Sequence, residues 1–185
     1  VNAANRSGVG RRLLESTLGV HRQAPVPEYH SNPFRRREAR RAKPALAPVA
    51  AGSTTGRVAL FVTCYGNRNG PDLAEDLVAI LEHIGIPVTL PDSERCCGMP
   101  KLELGDLEAV ARLKEHNIPR LAELAAAGHD FLAVVPSCVL MFRKELPLLF
   151  PDDEQVAVVA QRFFDPFEYL LQRHAAGLLR TDFPN

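Results

Sequence analysis

From residue 58 onward, short apolar runs alternate with longer stretches whose apolar residues recur at helical spacing, and no other feature constrains the fold as much. "VALFVTC" (58–64) opens with five apolar residues in a row, as a strand covered on both faces requires. "GPDLAEDLVAILEHIG" (70–85) follows, with Pro71 at a first helical turn, Leu73, Leu77, Ile80, Leu81 and Ile84 at helical spacing and Gly85 as a stop. "IPVTL" (86–90) predicts a second strand, "GDLEAVARLKEHNIPRLAELAAAG" (105–128) a helix with a kink at Pro119, and "DFLAVVP" (130–136) a third strand. A short helix is expected over 139–150, a fourth strand over "QVAVVA" (155–160), and a last helix over 165–179 with Asp165 as N-cap and Pro166 at its first position. Strands alternating with helices predict an α/β domain over 58–185, with a doubly wound, Rossmann-like, mostly parallel sheet.

Residues 1–57 read differently. "GVGRRLLESTLGV" (8–20) predicts a short helix, and "HRQAPVPEYHSNPF" (21–34) carries three prolines that favour extended backbone draped over a surface. "RRREARRAK" (35–43) places six positive charges around one Glu and runs into the small-residue, Pro/Gly linker "PALAPVAAGSTTG" (44–56). Residues 1–57 hold 11 Lys and Arg against 3 Asp and Glu, and the remainder 11 against 19, so a neutral chain divides into parts of about +8 and −8. The expected organisation is an irregular, basic, Pro-rich connector followed by the α/β domain. No aromatic interleaving or recognition motif accompanies the basic run, which argues against nucleic acid; a docking surface for a partner or anionic lipid, or a solvated linker, is expected. No run approaches the roughly 18 apolar residues that span a bilayer, so a cytoplasmic chain is expected, reaching the inner membrane only through partners. The start at Val1 instead of Met is what a piece of a longer polypeptide would show.

The chemistry rests on four cysteines. Cys64 ends the first predicted strand, Cys96 and Cys97 lie in "ERCCGM" (94–99) after the second, and Cys138 follows the third. Ligands of such sheets bind at the carboxyl ends of the strands, so all four thiols should converge on one edge. Thiolates are the ligands of iron–sulfur clusters and good ligands for zinc, Gly98 permits a backbone that a side chain would obstruct, and a non-secretory chain disfavours a disulfide framework. Two plain alternatives are that free cysteines are small buried hydrophobes or act in thiol redox chemistry. His83, His116, His129 and His174 fall in or beside predicted helices, as surface or capping residues do. "YGNRNG" (65–70) lacks the spacing of a phosphate cradle and reads as the loop presenting Cys64, with Tyr65 and Arg68 beside it. No acid–base pair or nucleophile triad is apparent.

"CYGNRNGPDLAEDLVAILEHIGIPV", "CCGMP" and "VVPSCVLMFRKELPLLF" together resemble the cysteine-rich CCG domain of the heterodisulfide reductase B-type family, above all the first such domain of the iron–sulfur proteins of the anaerobic glycerol-3-phosphate dehydrogenase type. The likeness covers about 58–172. It implies an iron–sulfur electron-transfer domain whose cluster is held by Cys64, Cys96, Cys97 and Cys138, with Gly98 beside it. It also implies a flavin dehydrogenase partner, a membrane quinone-linked partner and further parts of a longer polypeptide. The family pattern is a cysteine, CCG, then CxxC, and Val135 stands where the first cysteine of the CxxC would be. Four thiols fit a [4Fe–4S] cluster; zinc binding, thiol–disulfide exchange and a docking module that has lost its cluster are the alternatives.

Overall fold

The computed structural model describes residues 2–182. Two short helices, α1 (Asn2–Arg6) and α2 (Gly8–Leu18), and a one-turn helix, α3 (Phe34–Glu38), punctuate the connector. The domain proper runs β1 (Val58–Phe61), α4 (Cys64–Arg68), α5 (Pro71–His83), β2 (Val88–Thr89), α6 (Met99–Glu103), α7 (Leu107–Ala126), β3 (Asp130–Ala133), α8 (Pro136–Leu140), α9 (Leu146–Leu149), α10 (Glu154–Arg162), β4 (Phe163–Phe164) and α11 (Pro166–Ala175). The four strands form one all-parallel sheet in the order β2-β1-β3-β4, the α/β architecture expected from the alternation.

Strand periodicity sorts the core into two layers, because successive side chains point to opposite faces. Val58, Leu60, Leu132 and Phe164 pack with Leu77, Val78 and Leu81 of α5 and Tyr169 of α11. Ala59, Phe61, Phe131 and Phe163 pack on the other face with Ile118 and Leu121 of α7 and Val156 and Val159 of α10. Phe142 stacks on Phe163 at 4.7 Å and meets Phe61 edge-on at 4.9 Å, offset and edge geometries that aromatic rings favour.

The strand expected over 155–160 is a helix. The amides of Gln155 and Val156 donate to Asp153 Oδ1 at 3.0 and 3.2 Å, an N-cap that starts α10. Val156 and Val159, three residues apart, are buried on one side while Val158 is 44% exposed, so a run of β-branched residues serves a helical period. The fourth strand falls instead on Phe163–Phe164, paired with Phe131 and Leu132. Helix α7 continues through Pro119. The helix expected over 139–150 passes through a π-helical turn, Met141–Glu145, before Pro147, whose missing N–H and bulk disrupt ordinary α-helical bonding.

The connector is extended around its prolines, but Phe34 is fully buried within the α5 layer. The basic run that follows lies along acidic residues of α5: Arg37 pairs with Asp72 at 2.9 Å and Glu75 at 3.0 Å, and Arg41 with Glu82 at 2.6 Å as well as with Glu38 of α3 at 2.8 Å. The outermost of these, Arg37 with Asp72, contributes little singly, whereas Glu38 is buried against Arg41. Together with buried Phe34 these pairs orient the connector against the domain.

Candidate thiol site

Three connections place the four thiols at the carboxyl edge of the sheet. After β1 the chain turns sharply at Thr63, a non-glycine residue at φ 68°, ψ 158°, and Cys64 opens α4 instead of closing the strand. The Thr63 hydroxyl accepts the Gly66 amide at 2.9 Å. The loop after β2 is fixed from α7, where Asn117 accepts the Arg95 amide at 2.9 Å and donates to the Cys96 carbonyl at 3.1 Å. Cys96 and Cys97 then reach Gly98, at φ 102°, ψ −10°, and α6 begins. Cys138 is the third residue of α8, its amide bonded to the Val135 carbonyl at 3.0 Å.

The four side chains are joined in a row: Cys64 to Cys96, Cys96 to Cys97 and Cys97 to Cys138 by hydrogen bonds, with Cys64 also within electrostatic reach of Cys138. All four are free thiols; Cys64 is exposed, Cys96 half-buried, and Cys97 and Cys138 buried. Hydrogen bonds from the Cys64 and Cys97 thiols, joined by the Gly98 amide and the charge of Lys101, lower Cys96 to a pKa of about 2. Hydrogen bonding to Cys96, then burial, raises Cys64, and hydrogen bonding with Cys138 and Cys96, then burial, raises Cys97. The row therefore carries its first negative charge at Cys96. The amides of Tyr65, Gly98 and Met99 each hydrogen-bond a sulfur, on Cys64, Cys96 and Cys97 respectively. Among the described residues no three His, Cys, Asp or Glu side chains are grouped as a ready-made site for a metal ion; the sulfurs form a linked row.

Cys64, Cys96, Cys97 and Cys138 thus lie in one row at the carboxyl edge of the sheet, with Gly98 directly after the pair. The histidines stay out of the row: His116 Nε2 lies 2.5 Å from the Ser93 carbonyl, His129 Nδ1 lies 3.1 Å from the Leu124 carbonyl, and His174 is exposed. Val135, partly buried, packs against the apolar layer beside Cys138. Arg68, expected beside Cys64, is joined there by residues not singled out from sequence. A cleft of about 290 Å³ opens on Cys64 and Cys96 between Arg35, Arg68, Arg95 and Glu94, and Glu94 is bound to the backbone ahead of Cys64 at 3.0 and 3.1 Å. Burial raises the Glu94 pKa, against the opposing charge of Arg35. The only sequence signal for Glu94 was its place inside "ERCCGM".

The sequence over residues 58–143 matches the cysteine-rich domain family CCG. The C-type component of anaerobic glycerol-3-phosphate dehydrogenase from Escherichia coli K12 is 29% identical over 150 residues, 80% of this chain and 36% of that protein. Lactate utilization protein A is 36% identical over 96 residues in an Exiguobacterium species, 52% of this chain and 38% of that protein, and 30% identical over 126 residues in Bacillus cytotoxicus, 68% and 51%. The aligned stretches thus span 36% to 51% of these relatives' lengths. No solved structure matches. The match begins at the first residue of β1 and extends past Cys138, so it contains all three thiol loops, and residues 58–143 belong to the cysteine-rich CCG domain family.

Proposed function

We propose that this chain is an iron–sulfur electron-transfer part of a multi-subunit oxidoreductase, with Cys64, Cys96, Cys97 and Cys138 as ligands of a [4Fe–4S] cluster. The observation that carries the reading is the row of four thiols, linked sulfur to sulfur and met by three backbone amides, at the carboxyl edge of the sheet. Four thiolates are the usual demand of a cubane cluster, and Val135 leaves the set at four. When bound, the cluster supplies a one-electron carrier. The chain's own residues do the rest: Cys96 enters as a thiolate, buried Cys97 and Cys138 limit the access of water, and amide hydrogen bonds to the sulfurs together with burial set the reduction potential.

The relatives include one component of a dehydrogenase complex, which supports partners on either side of the electron path: a flavin dehydrogenase as donor and a membrane quinone-linked protein as acceptor. No helix among the described residues is long and apolar enough to cross a membrane; in this reading the quinone-linked partner brings the chain to the inner membrane.

Anaerobic reconstitution of the 185-residue chain with ferrous iron and sulfide tests this. The expected outcome is about four irons and four sulfides per chain, thiolate-to-iron absorption, and an electron paramagnetic resonance signal on reduction that Cys96→Ser abolishes. A chain that takes no iron but binds zinc tightly overturns it in favour of a zinc site. A second reading, thiol–disulfide exchange, is favoured by one observation: exposed Cys64 is hydrogen-bonded to the low-pKa Cys96. It requires metal-free thiol reduction that Cys96→Ser removes. Full activity of the assembled complex with Cys96→Ser would leave a docking module.

A further inference from the structure

Glu94 stands two residues before the paired cysteines, with its side chain 8% exposed. Its two oxygens accept the amides of Val62 at 3.1 Å and Thr63 at 3.0 Å, the last two residues before Cys64. Arg35, from the connector, meets Glu94 Oε2 at 2.8 Å, and the same Nη2 donates to the Pro91 carbonyl at 2.8 Å. The Arg35 amide donates to Asn67 Oδ1 of α4 at 3.1 Å. One carboxylate thus ties the Cys64 loop to the Cys96–Cys97 loop, and one arginine ties both to the connector.

Thr63 explains why a clamp is needed. A β-branched residue at φ 68°, ψ 158° is strained, and such a conformation persists only where neighbouring groups over-determine it. Glu94 holds its amide, and its own hydroxyl is held by Gly66. Strain at Thr63 is relieved by return toward ordinary extended backbone, and Cys64 is the next residue along the chain.

We propose that Glu94 and Arg35 form a positioning pair that sets the separation of the Cys64 sulfur from those of Cys96 and Cys97, which makes the connector a working part of the thiol site. Arg35 lies outside the family match, which begins at residue 58. The placement of the thiols stands on the geometry alone; only the statement that they hold a cluster rests on the function proposed above.

The test uses the whole chain as wild type, Arg35→Met, Arg35→Lys and Glu94→Gln. In metal-free protein, exchange of the Val62 and Thr63 amides should accelerate about tenfold in Arg35→Met and Glu94→Gln, and mild diamide oxidation should close the Cys64–Cys96 disulfide more slowly. After iron and sulfide loading, both variants should show an altered resonance line shape and a shifted midpoint potential, with Arg35→Lys restoring part of the wild-type signal because it keeps the charge but not the planar fork. Faster exchange with unchanged line shape, potential and disulfide rate would overturn the positioning role and leave a structural one. Unchanged exchange in Arg35→Met would overturn the pair itself, and that variant keeps the test valid if Glu94→Gln does not fold. If wild type takes up no iron, the cluster reading fails, and the exchange and disulfide rates still decide the clamp.

Discussion

Replacing Gly98 by alanine separates two reasons for a glycine beside the paired cysteines. An added Cβ would lie 3.4 Å from Met141 Cε, 3.8 Å from Leu113 Cδ1 and 4.0 Å from Val110 Cα, ordinary van der Waals contact, so lack of space is not the reason. The backbone is: φ 102°, ψ −10° is a conformation that an L-residue adopts only under strain, at about 1–3 kcal/mol. Alanine also narrows the unfolded ensemble, which returns about 0.4–1 kcal/mol. The net expected loss is about 1–2 kcal/mol, or a fall of roughly 0.5–1 M in the urea midpoint for an m-value near 2 kcal/mol/M. Gly105→Ala is the matched control, with φ 74° and nothing within 4 Å; it should lose a similar amount of stability. Only Gly98→Ala should change the alkylation rates of Cys96 and Cys97, since only there does the strain relax through the thiol loop. Equal stability of Gly98→Ala and wild type would refute the torsional account, and a loss above about 4 kcal/mol would point to a steric clash instead.

Asp153→Ala removes the N-cap of α10 and the 2.5 Å contact to Lys114, and should cost about 1–2 kcal/mol in urea melts; Asp153→Asn keeps the cap and should recover the larger share. Asp130 is fully buried, and although its Oδ2 accepts from Thr55 at 2.6 and 2.8 Å, burial raises its pKa. A carboxyl whose folded pKa lies above its unfolded value holds more protons in the folded state, so stability falls as pH rises from the ordinary aspartate pKa of about 3.9 through the raised one. Subtracting melts of Asp130→Asn from wild type should show that downward slope, and a difference rising with pH would contradict the burial account.

The fold was legible where a local pattern had one interpretation. Pro71 and Gly85 bracket a helix whose observed bounds, Pro71–His83, follow from its stop and start residues, and Asp165 caps α11 with its side chain accepting from Phe167 and Glu168. The run at 155–160 had two interpretations, because valines at 156 and 159 suit a buried strand and a helix face alike. Asp153 decided between them, through two amide hydrogen bonds to a side chain that lies outside the run itself. The connector shows the same dependence on distant partners: the charge excess of "RRREARRAK" is visible in sequence, but its complement is spread over Asp72, Glu75, Glu82 and Glu94, acids that ordinary helix and loop roles would equally explain.

The site divides in the same way. The cysteines could be placed because strand ends share one edge of a parallel sheet, so three distant sequence positions map to one place from topology alone. Their separation cannot be had from topology, since it depends on torsions at Thr63 and Gly98, one held by a carboxylate and the other by the absence of a side chain. Glycine announces its freedom in the sequence, whereas a strained threonine does not, and a glutamate beside an arginine in a loop reads as solvated charge until its two oxygens are found on backbone amides. The ligands of such a site are therefore more visible in sequence than the residues that fix their spacing. On the proposed cluster reading that spacing decides whether four thiols suit one cluster, so the residues to test are Glu94 and Arg35 as much as the cysteines, and Arg35 lies in a segment that the domain match does not include.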